Sequence, residues 1–137
     1  MPLNLNAYLG IEPDALQVYA KRAEVLAANL ANADTPGYVA RDIDFRAALA
    51  AAGSQAGGLQ QATTSADDLT AASPTGESVS TEQFLKYRVP LAPSLDGNTV
   101  DSQMEEGKFA QNTVRFQAAL TFLENRFSEL TTAIVGQ

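Results

Sequence analysis

Apolar residues recur at intervals of three and four at both ends of this chain and thin out between them. Near the start, Leu16, Tyr19, Ala23, Leu26, Leu30 and Ala33 follow one another at alternating steps of three and four, the spacing of a narrow heptad seam along a helix. Val18 and Val25 widen that seam, while Lys21, Arg22 and Glu24 fall mostly on the opposite side, where a solvated face is expected. Towards the end, Phe109, Thr113, Phe116, Leu120, Leu123, Phe127, Leu130 and Ile134 repeat the pattern over a longer run, with Thr113 as its polar interruption. The spacing predicts helices over 13–34 and 100–135, about 33 Å and about 54 Å long at ~1.5 Å per residue.

Local chemistry sets the boundaries. Pro13 suits the first turn of a helix, and Glu12 and Asp14 complement its positive end, so the first long helix begins near Glu12. Met1 to Ile11 reads as a helical turn or a frayed arm. Thr35-Pro36-Gly37-Tyr38 stops the helix: proline pushes Thr35 out of the helical region, and Pro36-Gly37 fits the centre of a type II turn. From Tyr38 to Phe45 the chain reads as extended, with Val39, Arg41, Ile43 and Phe45 on one side and Tyr38, Ala40, Asp42 and Asp44 on the other. Arg46 to Ala52 has high helix propensity but little to pack with, and Gly53 ends it. The Ala, Gly, Ser, Thr and Gln of Gly53–Ser80 read as loop or disorder in the free chain. A short strand is expected within Thr81–Val89, followed by the polyproline-like Pro90-Leu91-Ala92-Pro93 and a turn at Ser94–Asn98. Asn98 or Thr99 is expected to cap the last helix, with Asp101 in its first turn.

Composition narrows the function. A net charge of -7 argues against nonspecific nucleic-acid binding, which depends on lysine and arginine. The chain holds neither cysteine nor histidine, so thiolate chemistry, disulfides, the usual general base and the usual zinc ligands are all missing from its inventory. Asp34, Asp42, Asp44 and Asp96 lack calcium-loop spacing and read as surface carboxylates. No catalytic residue, cofactor or metal site is expected, and the chain does not read as an enzyme. No basic leader with an apolar core opens the sequence, no stretch is long and apolar enough to span a bilayer, and no direct lipid binding is expected. Asn29 and Asn32, three apart and beside the seam, admit two readings: a solvated face, or amides that fix the helix end or a neighbouring subunit.

The run Asn29-Leu30-Ala31-Asn32-Ala33-Asp34-Thr35-Pro36-Gly37-Tyr38 resembles the signature of bacterial flagellar rod and hook proteins. Its continuation Ala40-Arg41-Asp42-Ile43-Asp44-Phe45 is similar to the proximal-rod, FlgB-type branch of that family. A second stretch, Pro93-Ser94-Leu95-Asp96-Gly97-Asn98-Thr99-Val100-Asp101, resembles a second motif of the same branch. Around Thr64-Ser65 the chain lacks the histidine that many members carry. The resemblance implies a structural subunit of the basal-body rod that assembles with itself into a helical tube between the MS ring with its export gate and the distal rod. It also implies FlgC-type rod proteins and FliE as neighbours, a periplasmic position, and passage through the flagellar type III channel without a cleaved signal peptide.

The expected fold is therefore mainly α: two long terminal amphipathic helices forming an antiparallel, coiled-coil-like pair, with an extended, irregular, strand-poor middle. Three stretches follow: 1–35 as the N-terminal helical region, 36–97 as hinge and irregular middle, and 98–137 as the C-terminal helix packing on the first. Val18, Val25, Val114, Ala118, Ala119 and Phe122 flank the seams as apolar surface that neighbouring copies would cover. The rival reading is a small cytoplasmic coiled-coil adaptor that uses the same seams for one helical partner.

Overall fold

The computed structural model describes residues 5–56, 81–90 and 94–136. A short helix α1 (Leu5–Leu9) turns into the long α2 (Glu12–Ala31), followed by strand β1 (Arg41–Ile43) and helix α3 (Phe45–Ala56). A single 3-10 turn (Thr81–Phe84) leads into β2 (Leu85–Tyr87), and the chain ends in α4 (Ser102–Val135). The protein is mainly helical with two long terminal helices and minimal strand. Most of the stretch expected to be a loop, and Pro93 of the second motif, lie outside the described residues.

Helix α2 starts where proline permits it, with Pro13 in its first turn beside Glu12 and Asp14. It ends at Asn32, whose backbone N–H is shared between the carbonyls of Ala28 and Asn29 at 3.2 and 3.1 Å. The chain then reverses through Thr35–Tyr38, closed by the Tyr38 N–H on the Thr35 carbonyl at 3.3 Å. Gly37 takes a φ of 71° there, a conformation that a side chain would strain. β1 pairs antiparallel with β2, Arg41 facing Tyr87 and Ile43 facing Leu85.

Helix α2 packs on two sides. On one, Val18 packs with Ile43 and Ala48 in a small core, bordered by Val25, Phe45, Phe84 and Leu85. Tyr19 stacks on Phe45 with ring centroids 4.5 Å apart. On the other side lies α4, running antiparallel: Asn29 meets Glu105, and Tyr19, roughly 15 Å back along α2, meets Asn112. Leu26 is fully buried, a burial worth about 1.5–3 kcal/mol.

Several sequence expectations are corrected by this arrangement. Val18 is only 2% exposed because β1 and α3 of the same chain cover it, so it is not surface left for neighbouring copies. The extended stretch yields just three residues of strand; Phe45 opens α3, and the buried residues are Ala40 and Ile43 rather than one alternating face. Asp44 starts α3 by accepting from the Ala47 N–H at 3.0 Å. Gly53 does not end that helix, which continues to Ala56 with Ala48 and Ala52 buried. A methyl group at Gly53 would sit 3.2 Å from Ile11 Cδ1, so the missing side chain lets α3 approach the start of α2. Helix α4 is capped by Asp101, whose carboxylate accepts from the Met104 N–H at 3.1 Å, and not by Asn98 or Thr99, which are engaged elsewhere.

Candidate functional site

The two sequence motifs fold onto each other. Gly37 donates its backbone N–H to the Asp96 carbonyl at 2.9 Å, and the Thr99 N–H reaches the Tyr38 carbonyl at 3.0 Å. The Thr99 hydroxyl accepts from the Ala40 N–H at 2.7 Å. Gly97 takes a φ of 74°, and a Cβ added there would lie in ordinary contact with Gly37 Cα at 3.6 Å. Neither turn tolerates a larger residue at its glycine, since both need positive φ.

Asn98 ties this junction to the end of α2. Buried, it points its amide nitrogen at the carbonyls of Asn32, Ala33 and Thr35, at 3.0, 2.6 and 3.0 Å. Those carbonyls belong to the turn that follows α2, from its C-cap residue Asn32 to Thr35. Its amide oxygen accepts from the Val100 N–H at 2.8 Å, while its own N–H goes to the Asp96 carboxylate at 3.1 Å. A residue from the second motif thus fixes the turn through which the first motif leaves α2. Ser94 adds a hydroxyl bond to the Asn98 carbonyl.

Asn29 plays the matching part on the other side of α2. It is fully buried, accepts from the Arg41 N–H at 3.1 Å and donates to the Arg41 carbonyl at 2.7 Å, so its amide acts as a strand partner for β1. Its second donor goes to Glu105 Oε2 at 3.0 Å, and the Tyr38 hydroxyl contributes to its oxygen at 3.4 Å. Of the two readings the sequence left open, the solvated face is excluded for Asn29. Asn32 is half-buried; its amide bonds back to the Ala28 carbonyl at 2.8 Å, and its oxygen accepts from the Thr35 hydroxyl at 3.2 Å.

Beneath these asparagines lies a cluster of charges. Arg22 grips Asp42 with two bonds, Nε to Oδ1 at 2.8 Å and Nη2 to Oδ2 at 3.0 Å. Arg88 donates through Nη2 to Asp42 Oδ2 at 2.8 Å and directs Nη1 at Glu105 Oε1. Glu105 is fully buried, and Arg88 retains 13% side-chain exposure. The chain of contacts Arg22–Asp42–Arg88–Glu105–Asn29 therefore joins α2, β1, the end of β2 and α4. Burial by itself would raise the Asp42 pKa, but the Arg22 hydrogen bond and charge, the Ile43 N–H and Arg88 outweigh it, leaving the carboxyl below its usual value. Asp42 in turn raises the Arg22 pKa, chiefly through that hydrogen bond. Lys108, half-buried near the two arginines, has its pKa lowered by burial first and then by the Arg88 charge.

Sequence reasoning misses four of these residues. Arg22 lies off the apolar seam, a position that predicts a solvated side chain, yet it is 14% exposed. Arg88, Glu105 and Asn112 carry no signal of their own. Asn112 is buried, donating to the Tyr19 carbonyl at 2.9 Å, whereas the neighbouring seam position Thr113 is exposed and bonds to its own helix at the Phe109 carbonyl. The hint is positional: Glu105 and Asn112 stand one heptad apart, in helical register with Phe116, Leu120 and Leu123. An apolar-periodicity reading scores polar residues as outward-facing and passes over them.

The remaining candidates are dispersed. In α2, Leu16, Tyr19, Ala23 and Leu30 are half-buried around Leu26, as is Ala33 just beyond the helix end. In α4, Phe116, Leu120, Leu123 and Leu130 are half-buried, but Phe109, Phe127 and Ile134 are exposed. Thr35, Pro36, Gly37, Arg41, Ser94, Leu95, Asp96, Gly97 and Asp101 lie at the surface, and Val100 is half-buried. Asp44 holds Lys86 at 2.6 Å and has a pKa below its ordinary value, first because of that lysine and then because of the Ala47 N–H. Among the described residues no group of three or more acidic side chains is arranged to hold a metal ion, and no helix is long and apolar enough to cross a membrane.

What sets α4 apart is how much of it has no cover. It is 34 residues long against 20 in α2, roughly 51 Å against 30 Å. Past the start of α2 it is accompanied by α1, where Tyr8 reaches Glu129 at 3.3 Å and lies 5.7 Å beneath the Arg126 guanidinium. On its outer side Val114 and Phe122 are 69% and 63% exposed, and on the seam face Ile134, past the start of α2, is 80% exposed. These apolar side chains have no cover among the described residues.

Comparison with known proteins agrees with this picture. A family model described as flagella basal body rod protein matches residues 14–38, the span from α2 through the first turn. The flagellar basal body rod protein FlgB of Salmonella typhimurium is 41% identical over 136 residues, covering 96% of each chain. FlgB of Cereibacter sphaeroides is 44% identical over 131 residues, 94% of each chain. FlgB of Escherichia coli is 44% identical over 129 residues, 89% of this chain and 88% of that protein.

Proposed function

Since this chain belongs to the FlgB family of flagellar basal body rod proteins, and is thus a structural, non-catalytic subunit that assembles with other basal-body components, we propose that the uncovered face of α4 is the surface on which it assembles. One observation carries this reading: α4 outreaches α2 by roughly 20 Å, with Val114 and Phe122 exposed on its outer side and the seam residue Ile134 exposed beyond the reach of α2. Neighbouring helices of like subunits bury such a row, and a heterologous contact that repeats without closing builds a tube. The seam residues Leu120, Leu123, Phe127, Leu130 and Ile134 then complete a coiled-coil-like packing between copies that one chain alone leaves open. The helices of the N-terminal stretch 1–35 and the C-terminal stretch 98–137 pair with each other, and 36–97 joins them while its β1 and α3 pack on α2.

Membership of the family supports a finer setting for the same reading. The subunit occupies the proximal end of the rod in the periplasm, with FliE, the MS ring and the export gate beneath and FlgC-type proteins above. It leaves the cell body through the flagellar type III channel without a cleaved leader. Mass spectrometry of detergent-purified basal bodies tests the assignment. The chain is expected in the rod fraction, copurifying with FliE and FlgC-type proteins and starting at its encoded N-terminus. Its absence from rods of cells that express it would overturn the reading.

A further inference from the structure

Two features of this chain that have no partner among the described residues complement each other. The first is a shallow apolar groove between the start of α2 and the outer face of α3, lined by Ile11, Phe45, Leu49 and Ala50 with Arg46 at its edge. Among the described residues the Arg46 guanidinium has no carboxylate partner. The second is the last turn of α4. Ile134 and Val135 are exposed there, no basic residue stands in the turn, and Gly136 closes the helix in the left-handed conformation. That end carries the helix's partial negative charge on carbonyls without intrahelical donors.

We propose that the last turn of α4 of one copy docks in the Ile11–Phe45–Leu49 groove of the next, with Arg46 against its carbonyl end; the inference rests on the assembly reading above. The chemistry matches on both counts, apolar side chains to an apolar groove and the negative helix end to an unpaired cation. The geometry excludes a contact within one chain. Asn112 faces Tyr19, so in antiparallel register the α4 residue level with Ile11 is near position 120. Ile134 then lies roughly 20 Å further along a continuous helix, out of reach of its own groove. A second copy placed alongside and shifted along the helix by about that distance brings its groove to the first copy's tail. The two patches differ, so the contact does not close on itself and is propagated from copy to copy.

The absence of native cysteine allows a clean test. Leu49→Cys and Ile134→Cys are introduced together in cells lacking the native gene, and purified basal bodies are oxidised and run without reductant. Disulfide-linked multimers of this chain are expected, because docking brings the two Cβ atoms to within about 4.5 Å. Adding Arg46→Glu should lower the linked fraction about fivefold, the scale of one charge at a helix end. Rods that contain the chain but give no linkage overturn the docking and leave the assembly reading standing; rods without the chain sink that reading instead. Linkage from Leu49→Cys alone, or to a different protein, also overturns it. If the cysteine pair blocks assembly, a photo-crosslinking residue at Ala50 in the otherwise native chain decides between the outcomes. An adduct mapped to residues 127–137 of a second copy supports the docking, and one mapped elsewhere refutes it.

Discussion

Replacing Glu105 by alanine should destabilise the isolated subunit more than any single change on the outer face of α4. Glu105 is wholly buried, bonded to Asn29 and paired with Arg88, so its removal leaves a guanidinium group and an amide without their shared acceptor. Removing one partner of a buried pair costs about 3–5 kcal/mol. Arg88 keeps Asp42 at 2.8 Å and a little solvent exposure, which places the expected loss at the lower end, about 3 kcal/mol. For a chain of this length that lowers Tm by roughly 10 °C. Thermal melting followed by helical circular dichroism measures it. The double variant Arg88→Met with Glu105→Leu replaces the pair by apolar side chains of similar size and should recover most of the loss, since Asp42 retains both bonds from Arg22. A Glu105→Ala protein melting within about 2 °C of the native one would refute the argument. So would a double variant no more stable than the sum of its single changes, because a real coupling appears as non-additivity.

Leu26→Asp and Phe122→Asp should fail in different ways: the first places a carboxylate in a fully buried position and prevents folding, while the second changes a 63% exposed residue, leaving the monomer's melting intact and abolishing rods seen by electron microscopy. Rods built from the Phe122→Asp chain would remove the outer face of α4 from the assembly surface. Because Asp42 has a lowered folded pKa, its contribution is complete above its ordinary value of 3.8 and is lost as the pH falls below that towards the folded value. Stability should thus hold from pH 7 to 5 and decline below about pH 4, and Asp42→Asn should flatten that decline; an unchanged acid limb would contradict the assignment. Hydrogen exchange on the dilute subunit should show protected amides around Leu26, Ile43 and Glu105 and rapid exchange beyond Leu130, past the contacts of Tyr8 with Arg126 and Glu129, where the described residues of α4 are all exposed; uniform protection along α4 would count against assembly as the event that stabilises its far end.

The amino-acid sequence by itself determined the two long helices, the start of α2 and the Thr35–Tyr38 turn, although α2 stops at Ala31, before the 34 that the spacing predicts. Apolar spacing, Pro13 and Thr35-Pro36-Gly37 act locally, and their effects do not depend on the rest of the chain. It also pointed to the two motifs and to the family. What only the tertiary structure decided is why those motifs exist. Asn98 holds the turn after α2, reaching the Asn32 carbonyl 66 residues earlier, and Asn29 serves as a strand partner for β1 while holding Glu105, 76 positions away. Periodicity treats a polar residue as solvent-facing because an unpaired one would be costly to bury. Whether it is paired depends on groups that arrive from distant parts of the chain, and so Arg22, Arg88, Glu105 and Asn112 look like ordinary surface in the sequence. The same limit explains α3, for which local propensity proposes a stop at Gly53. Packing against Ile11 makes the missing side chain an advantage and carries the helix through.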